Sequence, residues 1–338
     1  MSSNLIRIGH GSGGRLSRDL INQVFVKHFT NNTLDQLGDA AWLNTTNQTL
    51  AFTTDSYVID PIFFPGGDIG QLAISGTIND LCVTGARPLY ISAAFIIEEG
   101  FLISELEKIA VSMAKEAQKA GIQIVTGDTK VVKKGQCDKL FINTSGIGII
   151  SPERLHLKDG NLVSPGDKII VTGTLGDHAI AILSAREKLQ LDEEIISDAA
   201  PLNALTELIL EKPDEIRFMR DITRGGLGTI LVETCEKKLY GIKVREKDIP
   251  VHRSVQSVCD LYGFDPIYLA NEGKIMLIVK AGSESSVIRR IQKNRKGENA
   301  AIIGEITGTN QGKAVMVSSI GGKRMIDMLS GEMLPRIC

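Results

Sequence analysis

Apolar residues recur at helical spacing near the start of the chain. Leu16, Leu20, Ile21, Val24, Phe25 and Phe29 fall on one face and predict a helix over 14–29. A short β-like run, Thr49–Thr54, leads into Asp55. Ile69, Leu72, Ala73, Thr77 and Leu81 predict a helix across 68–84, and the apolar run Tyr90–Ile97 predicts a buried strand. Ser104 to Ala120 is amphipathic, with Ser104 placed as N-cap, Glu107 at the capping-box position and Gly121 as stop signal. Strands are expected near 122–127 and 139–150, on either side of the charged turn 133–139.

Over 151–166 the periodicity lapses and turn formers cluster, which sets a domain boundary there. Residues 1–150 then form an N-terminal domain and 151–329 a second one. In the second, a strand at 168–173 precedes helices at 177–189 and 202–211, and a glycine-rich turn enters a helix near 226–238. Helices near 252–262 and 283–295 bracket a strand at 274–280, and strands near 300–306 and 313–318 close the domain. The alternation predicts an α/β (α+β) protein of two domains. Residues 330–338 lack periodicity, and Pro335 blocks a helix, so they read as a tail ending in Cys338.

Composition narrows the function classes. The 338 residues carry 43% hydrophobic and 23% charged side chains, with a net charge of −2 and no basic stripe, which argues against nucleic acid as a partner. No apolar run is long enough to span a bilayer. Five cysteines, odd in number and without a C-x-x-C pair, read as reduced thiols and suggest the cytoplasm.

The candidate chemistry lies in turns and strand ends. Gly9–Gly14 satisfies G-x-G-x-x-G but lacks the strand before it and the acid after it that a dinucleotide site needs. It is either a plain N-terminal segment or a loop that closes over phosphates, with Gly11, Gly13 and Gly14 as its contacts. Asp39 lies in a turn, Asp55 follows a strand, Asp80 sits on an apolar helix face, and Asp128 follows Ile124-Val-Thr-Gly127. Unpaired carboxylates in such settings are costly, so each is a helix cap, an ion-pair partner or an oxygen ligand for Mg²⁺ and phosphate. Arg224, in the turn Asp221–Gly228 before a helix, stands at a potential anion site or in a tight structural turn. Glu272, in Asn271-Glu-Gly273, is a buried base or a loop residue; Lys130 is a phosphate contact or a solvated lysine. His10 and His178 stand alone, without metal-ligand spacing, and read as ordinary structural histidines.

Taken together, the motifs resemble a known family. Thr53-Thr-Asp-Ser56, Gly76-Thr-Ile-Asn-Asp80, Thr126-Gly-Asp-Thr-Lys130, Arg220–Gly226, Asn271-Glu-Gly273 and terminal Pro335-Arg-Ile-Cys338 follow, across essentially the whole chain, the pattern of the HypE carbamoyl dehydratases of hydrogenase maturation. These belong to the superfamily of aminoimidazole ribonucleotide synthetase. The resemblance implies two α/β domains, the N-terminal ones pairing through their sheets in a homodimer with ATP sites at the interface. It also implies that Cys338 receives a carbamoyl group from HypF, is dehydrated to a thiocyanate at the expense of ATP, and passes cyanide to HypC–HypD. Asp39, Asp55, Asp80 and Asp128 would then hold Mg²⁺ and phosphates with Thr54, and Glu272 and Lys130 would manage protons. Its rivals are a kinase or synthetase acting on a free small molecule, and a nucleotide-binding carrier without catalysis.

Overall fold

The computed structural model describes residues 14–26, 28, 31, 37–191, 193–329, 334 and 336–338. Helix α1 (Gly14–Leu20) runs on as a π-helical stretch, Ile21–Val26, within the segment expected to be helical. Strands β1 (Ala41–Asn44) and β2 (Thr49–Tyr57) form a hairpin, and the two-residue strands β3 (Phe63–Phe64) and β4 (Gly67–Asp68) pair beyond it.

Helix α2 (Ile69–Val83) follows, capped by the Asp68 carboxylate on the N–H groups of Gly70 and Gln71. All of α2 except Gln71 and Asp80 is buried, as expected for a helix packed on several sides. It lies on β2, β5 (Ala86–Glu98) and β7 (Leu140–Ile150) and also touches the second half of the chain.

Helix α3 (Ile103–Ala120) connects β5 to β6 (Gln123–Val132). These two strands are parallel, which is why a helical crossover is needed between them. The sheet order is β1-β2-β7-β5-β6, antiparallel elsewhere. The start of α3 differs from the expected one. The helix begins at Ile103, Leu102 occupies the N-cap, and no side chain caps it, so Ser104 and Glu107 do not form a capping box. Gly121 ends it in the left-handed conformation, φ 68°, as expected.

The second half builds a seven-stranded sheet, order β14-β13-β10-β12-β8-β11-β9. Its strands are β8 (Lys168–Val171), β9 (Ile216–Asp221), β10 (Gly241–Arg245), β11 (Ile275–Val279), β12 (Ala301–Thr307), β13 (Ala314–Val317) and β14 (Lys323–Ile326). Helices α4 (Asp177–Glu187), α5 (Asn203–Ile209), α6 (Gly226–Cys235), α7 (Arg253–Tyr262) and α8 (Glu284–Ile291) accompany them. Every residue of β11 is buried, so its pattern is a continuous apolar run rather than an alternation.

The two sheets are joined through α2. Asn79 donates to the carbonyls of Ala200 and Glu272 and accepts from the Leu202 N–H. The buried amide therefore fixes α2, which carries Asp80, against the turn that carries Glu272.

Candidate active site

The alternation of β2 sorts the candidate residues onto two faces of the first sheet. Thr53, Asp55 and Tyr57 face α2: Thr53 donates to Asp80 at 2.8 Å, and the Tyr57 hydroxyl lies 3.5 Å from Thr77. Thr54 and Ser56 face away, bonded to Asn143 and Ser145 of β7. Asp128 stands in register with Ala94, and Ala94 with Asn143, so Asp128 and Lys130 share that second face. There Lys130 pairs with Asp128 at 3.0 Å, and both are exposed. In register, Asp55, Thr144, Ala93 and Gly127 stand side by side, three inter-strand steps or roughly 14 Å from β2 to β6. Within one chain, Asp128, Lys130 and Thr54 therefore do not join the acids on the α2 side.

On the α2 side the acids gather. Arg220 Nε lies 3.0 Å from Asp39, and its Nη2 lies 3.4 Å from Glu233. Asp80 is held well above the ordinary carboxylate range by burial, then by the charges of Asp221, Asp55 and Asp39, against the Thr53 hydrogen bond. Burial also raises Asp39, with Arg220 opposing. Asp221, at the end of β9, is pushed up to about 7 by burial, with Asp39 adding and Arg220 opposing. Carboxylates that raise one another in this way are short of positive charge, and a bound cation would relieve them. Among the described residues no three His, Cys, Asp or Glu side chains converge as a ready-made metal cage.

The described end of the tail is folded into this region. The Val58 N–H donates to the main-chain carboxylate of Cys338 at 3.1 Å and the Asp60 N–H to the Arg336 carbonyl at 3.2 Å. Arg186 of α4 donates to the Arg336 carbonyl at 2.8 Å, and His178 Nε2 lies 2.6 Å from that of Ile337. Arg336 itself donates to Val58 and forms an ion pair with Asp138. Ile337 and Cys338 pack on the apolar core beneath the first sheet. Arg224 Nη2 is 3.6 Å from Asp55. Negative charge at Cys338, followed by Asp55, Glu272 and Tyr57 against the effect of burial, holds the Arg224 guanidinium firmly protonated. Arg224 thus stands under the charges of Cys338, Asp55 and Glu272.

Glu272 is buried, and its Oε1 has no hydrogen-bond partner among the described residues. Burial raises its carboxyl well above the ordinary range, the charges of Asp198, Asp221 and Asp55 add to this, and Arg224 opposes it. The turn around it is held by Asp198, which accepts from the N–H groups of Glu272 (3.0 Å) and Gly273 (3.2 Å) and from Lys274 Nζ (2.9 Å). A Cβ on Gly273 would stand 2.0 Å from the Asp198 carbonyl oxygen, so this position of the Asn271-Glu-Gly273 motif admits only glycine.

Gly11 and Gly13 lie outside the described residues. Gly14, at φ 74°, lies against Leu329, where a Cβ would come within 2.6 Å of the carbonyl oxygen. Three residues missed in the sequence, Asp221, Asp198 and Arg186, belong here, together with His178, which was read there as structural. Asp221 has the strand-end signal that marked Asp55, whereas Asp198, His178 and Arg186 are defined only by long-range contacts. His178 is a buried structural histidine, and one of its ring nitrogens contacts the tail.

Comparison with known proteins agrees with the fold and the motifs. Residues 37–150 match the model of the AIR synthase related protein N-terminal domain, and 164–317 that of its C-terminal domain. The two-sheet architecture and its acid-lined seam thus define an AIR synthase-related protein. The carbamoyl dehydratase HypE of Azotobacter vinelandii is 44% identical over 98% of this chain and 97% of its own. A HypE crystal structure in complex with ATP has a TM-score of 0.82 at 44% identity, covering 99% of this chain and 100% of that one. A HypE–HypF complex gives a TM-score of 0.85 at 42% identity, covering 92% and 99%. This chain belongs to the HypE carbamoyl dehydratase family.

Proposed function

We propose that this chain is an ATP-dependent carbamoyl dehydratase whose substrate group rides on its own Cys338. The observation that carries this reading is the seating of the C-terminal residue on Val58 at the end of β2, where its charge, with those of Asp55 and Glu272, acts on Arg224. An S-carboxamide, S–C(=O)–NH₂, becomes a nitrile only if its oxygen leaves, and oxide or hydroxide is a poor leaving group. Transfer of the terminal phosphoryl group of ATP to that oxygen makes it one. Loss of phosphate and both N–H protons then gives S–C≡N, ADP and inorganic phosphate, the amide oxygen departing in the phosphate.

Asp39, Asp55 and Asp80 would hold Mg²⁺ and the phosphates, Arg224 would neutralise charge developing at the thiocarbamate, and the Gly11, Gly13 and Gly14 segment would close over the nucleotide. Glu272, buried, raised above the ordinary carboxylate range and with one oxygen unpartnered among the described residues, would take the proton from nitrogen. The tail would leave this seat to receive its carbamoyl group from HypF and to deliver cyanide to HypC–HypD for a [NiFe]-hydrogenase. We place nucleotide binding and dimerisation in residues 1–150, the second α/β domain in 151–329 and the carrier tail in 330–338. No described helix is long and apolar enough to cross a membrane, which fits the cytoplasmic setting we propose.

A homodimer would account for the second face of the first sheet. That face carries exposed Phe52, Tyr90, Ile96 and Ile147, and an apolar sheet face of this kind calls for a cover. A second copy laid sheet to sheet would bury it and carry Thr54, Asp128 and Lys130 to the partner's nucleotide.

Asp80→Asn tests the nucleotide site. It keeps the side chain's shape and removes the charge, so the affinity for Mg–ATP by calorimetry should fall by about tenfold or more, the loss of one close carboxylate–cation interaction. Unchanged affinity would take Asp80 out of the site.

A further inference from the structure

We propose that His178, fixed by Ser197, is a positioning residue that clamps the backbone of the tail and so sets the place of the Cys338 thiol. This rests on the reading of Cys338 as the carrier of the reacting group. His178 is fully buried at the start of α4, with its ring edge-on to Phe64 at 5.7 Å. The Ile337 carbonyl can only accept, so the bond at 2.6 Å places the ring proton on Nε2. Nδ1 is then an acceptor and takes the hydroxyl proton of Ser197 at 2.7 Å. Ser197 Oγ in turn accepts from the Ala199 N–H at 3.1 Å. The chain Ala199 N–H, Ser197 O–H, His178 Nε2–H, Ile337 C=O therefore runs in one direction, every donor and acceptor in it used.

The other described tail contacts hold the same segment along the edge of β2, where the Arg336 side chain donates to the Val58 carbonyl and pairs with Asp138. Val58 and Asp60 donate to the carboxylate of Cys338 and the carbonyl of Arg336, two residues apart, and Arg186 adds to the second. His178 bonds the carbonyl between them, from the opposite side. The backbone of Arg336 stands at φ 55°, a conformation that a residue other than glycine keeps only when its surroundings hold it. The segment that orients His178 also bears on the base: Ser197 fixes the ring, and its neighbour Asp198 holds the turn of Glu272. Thiol and base are thus referred to one short piece of backbone, itself pinned where the Ser197 N–H donates to Pro65 at 2.9 Å.

The test uses the full chain and two readings. Native alkylation of Cys338 by iodoacetamide, followed by the mass of the C-terminal peptide, reports how often the tail leaves its seat. The other four cysteines are buried and serve as internal controls for folding. His178→Ala is expected to alkylate about tenfold faster, the value of one buried hydrogen bond. Its dehydration kcat should fall by at least as much, while the rate of carbamoyl loading is retained. His178→Gln, whose amide nitrogen can reach the Nε2 position, should recover part of both. Ser197→Ala, which frees the ring, should shift both readings in the same direction by a smaller factor. If His178→Ala exposes the buried cysteines, Ser197→Ala and His178→Gln decide. Wild-type alkylation and dehydration rates in these variants would overturn the proposal, as would slower dehydration with an unmoved tail. Faster alkylation alongside a wild-type protein that dehydrates nothing would leave the clamp standing and remove the carbamoyl reading instead.

Discussion

Cys338→Ala is expected to abolish nitrile formation outright, because the atom that carries the carbamoyl group is gone. Mg–ATP affinity should stay within about twofold of wild type, since Asp39, Asp55 and Asp80 are untouched. Stability should change by less than about 1 kcal/mol, because Cys338 is only partly buried and the described tail is held mainly through its backbone carbonyls. Product analysis after incubation with a carbamoyl donor system and Mg–ATP makes the check. Nitrile from the alanine variant would mean that the acceptor lies elsewhere, as in a kinase or synthetase acting on a free small molecule. Loss of ATP binding in that variant would mean instead that the tail builds the nucleotide site.

Mixing two dead variants is expected to restore activity. Asp55, Asp80 and Glu272 lie on the α2 side of the first sheet, and Lys130 lies on the bare side, so one chain does not supply both to one site. Glu272→Gln and Lys130→Ala should each lower kcat by about 10²–10⁴-fold, the usual weight of a proton-transferring group. Exchange of subunits would make half of the dimers mixed, and one of the two sites in each would hold both intact residues. About a quarter of wild-type activity should therefore return, as for any two-fold dimer with sites shared between its subunits. No recovery, in a mixture shown to have exchanged, would place Lys130 with its own chain's site or outside catalysis.

Glu272 also fixes a pH dependence. Its carboxyl is raised from an ordinary value of 4.5 by burial and by neighbouring acids, and it must be ionised to accept a proton. The dehydration rate should therefore rise with pH as Glu272 ionises and then level. The stability effect has the opposite sign. A raised carboxyl favours the folded state fully below its unfolded value, and this is lost as pH rises toward the folded one. Glu272→Gln should thus flatten the pH profile of stability and, at neutral pH, cost little.

Much of the fold was legible from periodicity. Helix α2, the second half of α3 and strand β7 have long, regular apolar patterns and lie where they were expected. Strands β1, β9, β10 and β14 were not foreseen, because four to six residues of mixed polarity give no repeating signal, and their pairing comes from partners far away in sequence. Ser104 was given the cap by local chemistry, yet the cap falls two residues earlier, at Leu102.

For the site, acids in apolar contexts marked Asp80 and Asp55, because an isolated carboxylate there is expensive. Which face of the sheet each residue occupies was implicit in the alternation of β2, but Asp128 needed the register of four strands before its separation from Asp55 appeared. His178 gave no sequence signal. A histidine in an apolar helix looks the same whether its ring meets core or the backbone of a tail more than 150 residues away.

The central claim is that Cys338 carries the group that ATP dehydrates. The direct measurement is the mass of the C-terminal peptide after incubation with the carbamoyl donor system, with and without Mg–ATP. The account predicts a carbamoyl adduct on Cys338 in both samples and the loss of one water from it only where Mg–ATP is present. An unmodified Cys338, or an adduct whose mass does not respond to Mg–ATP, would contradict it.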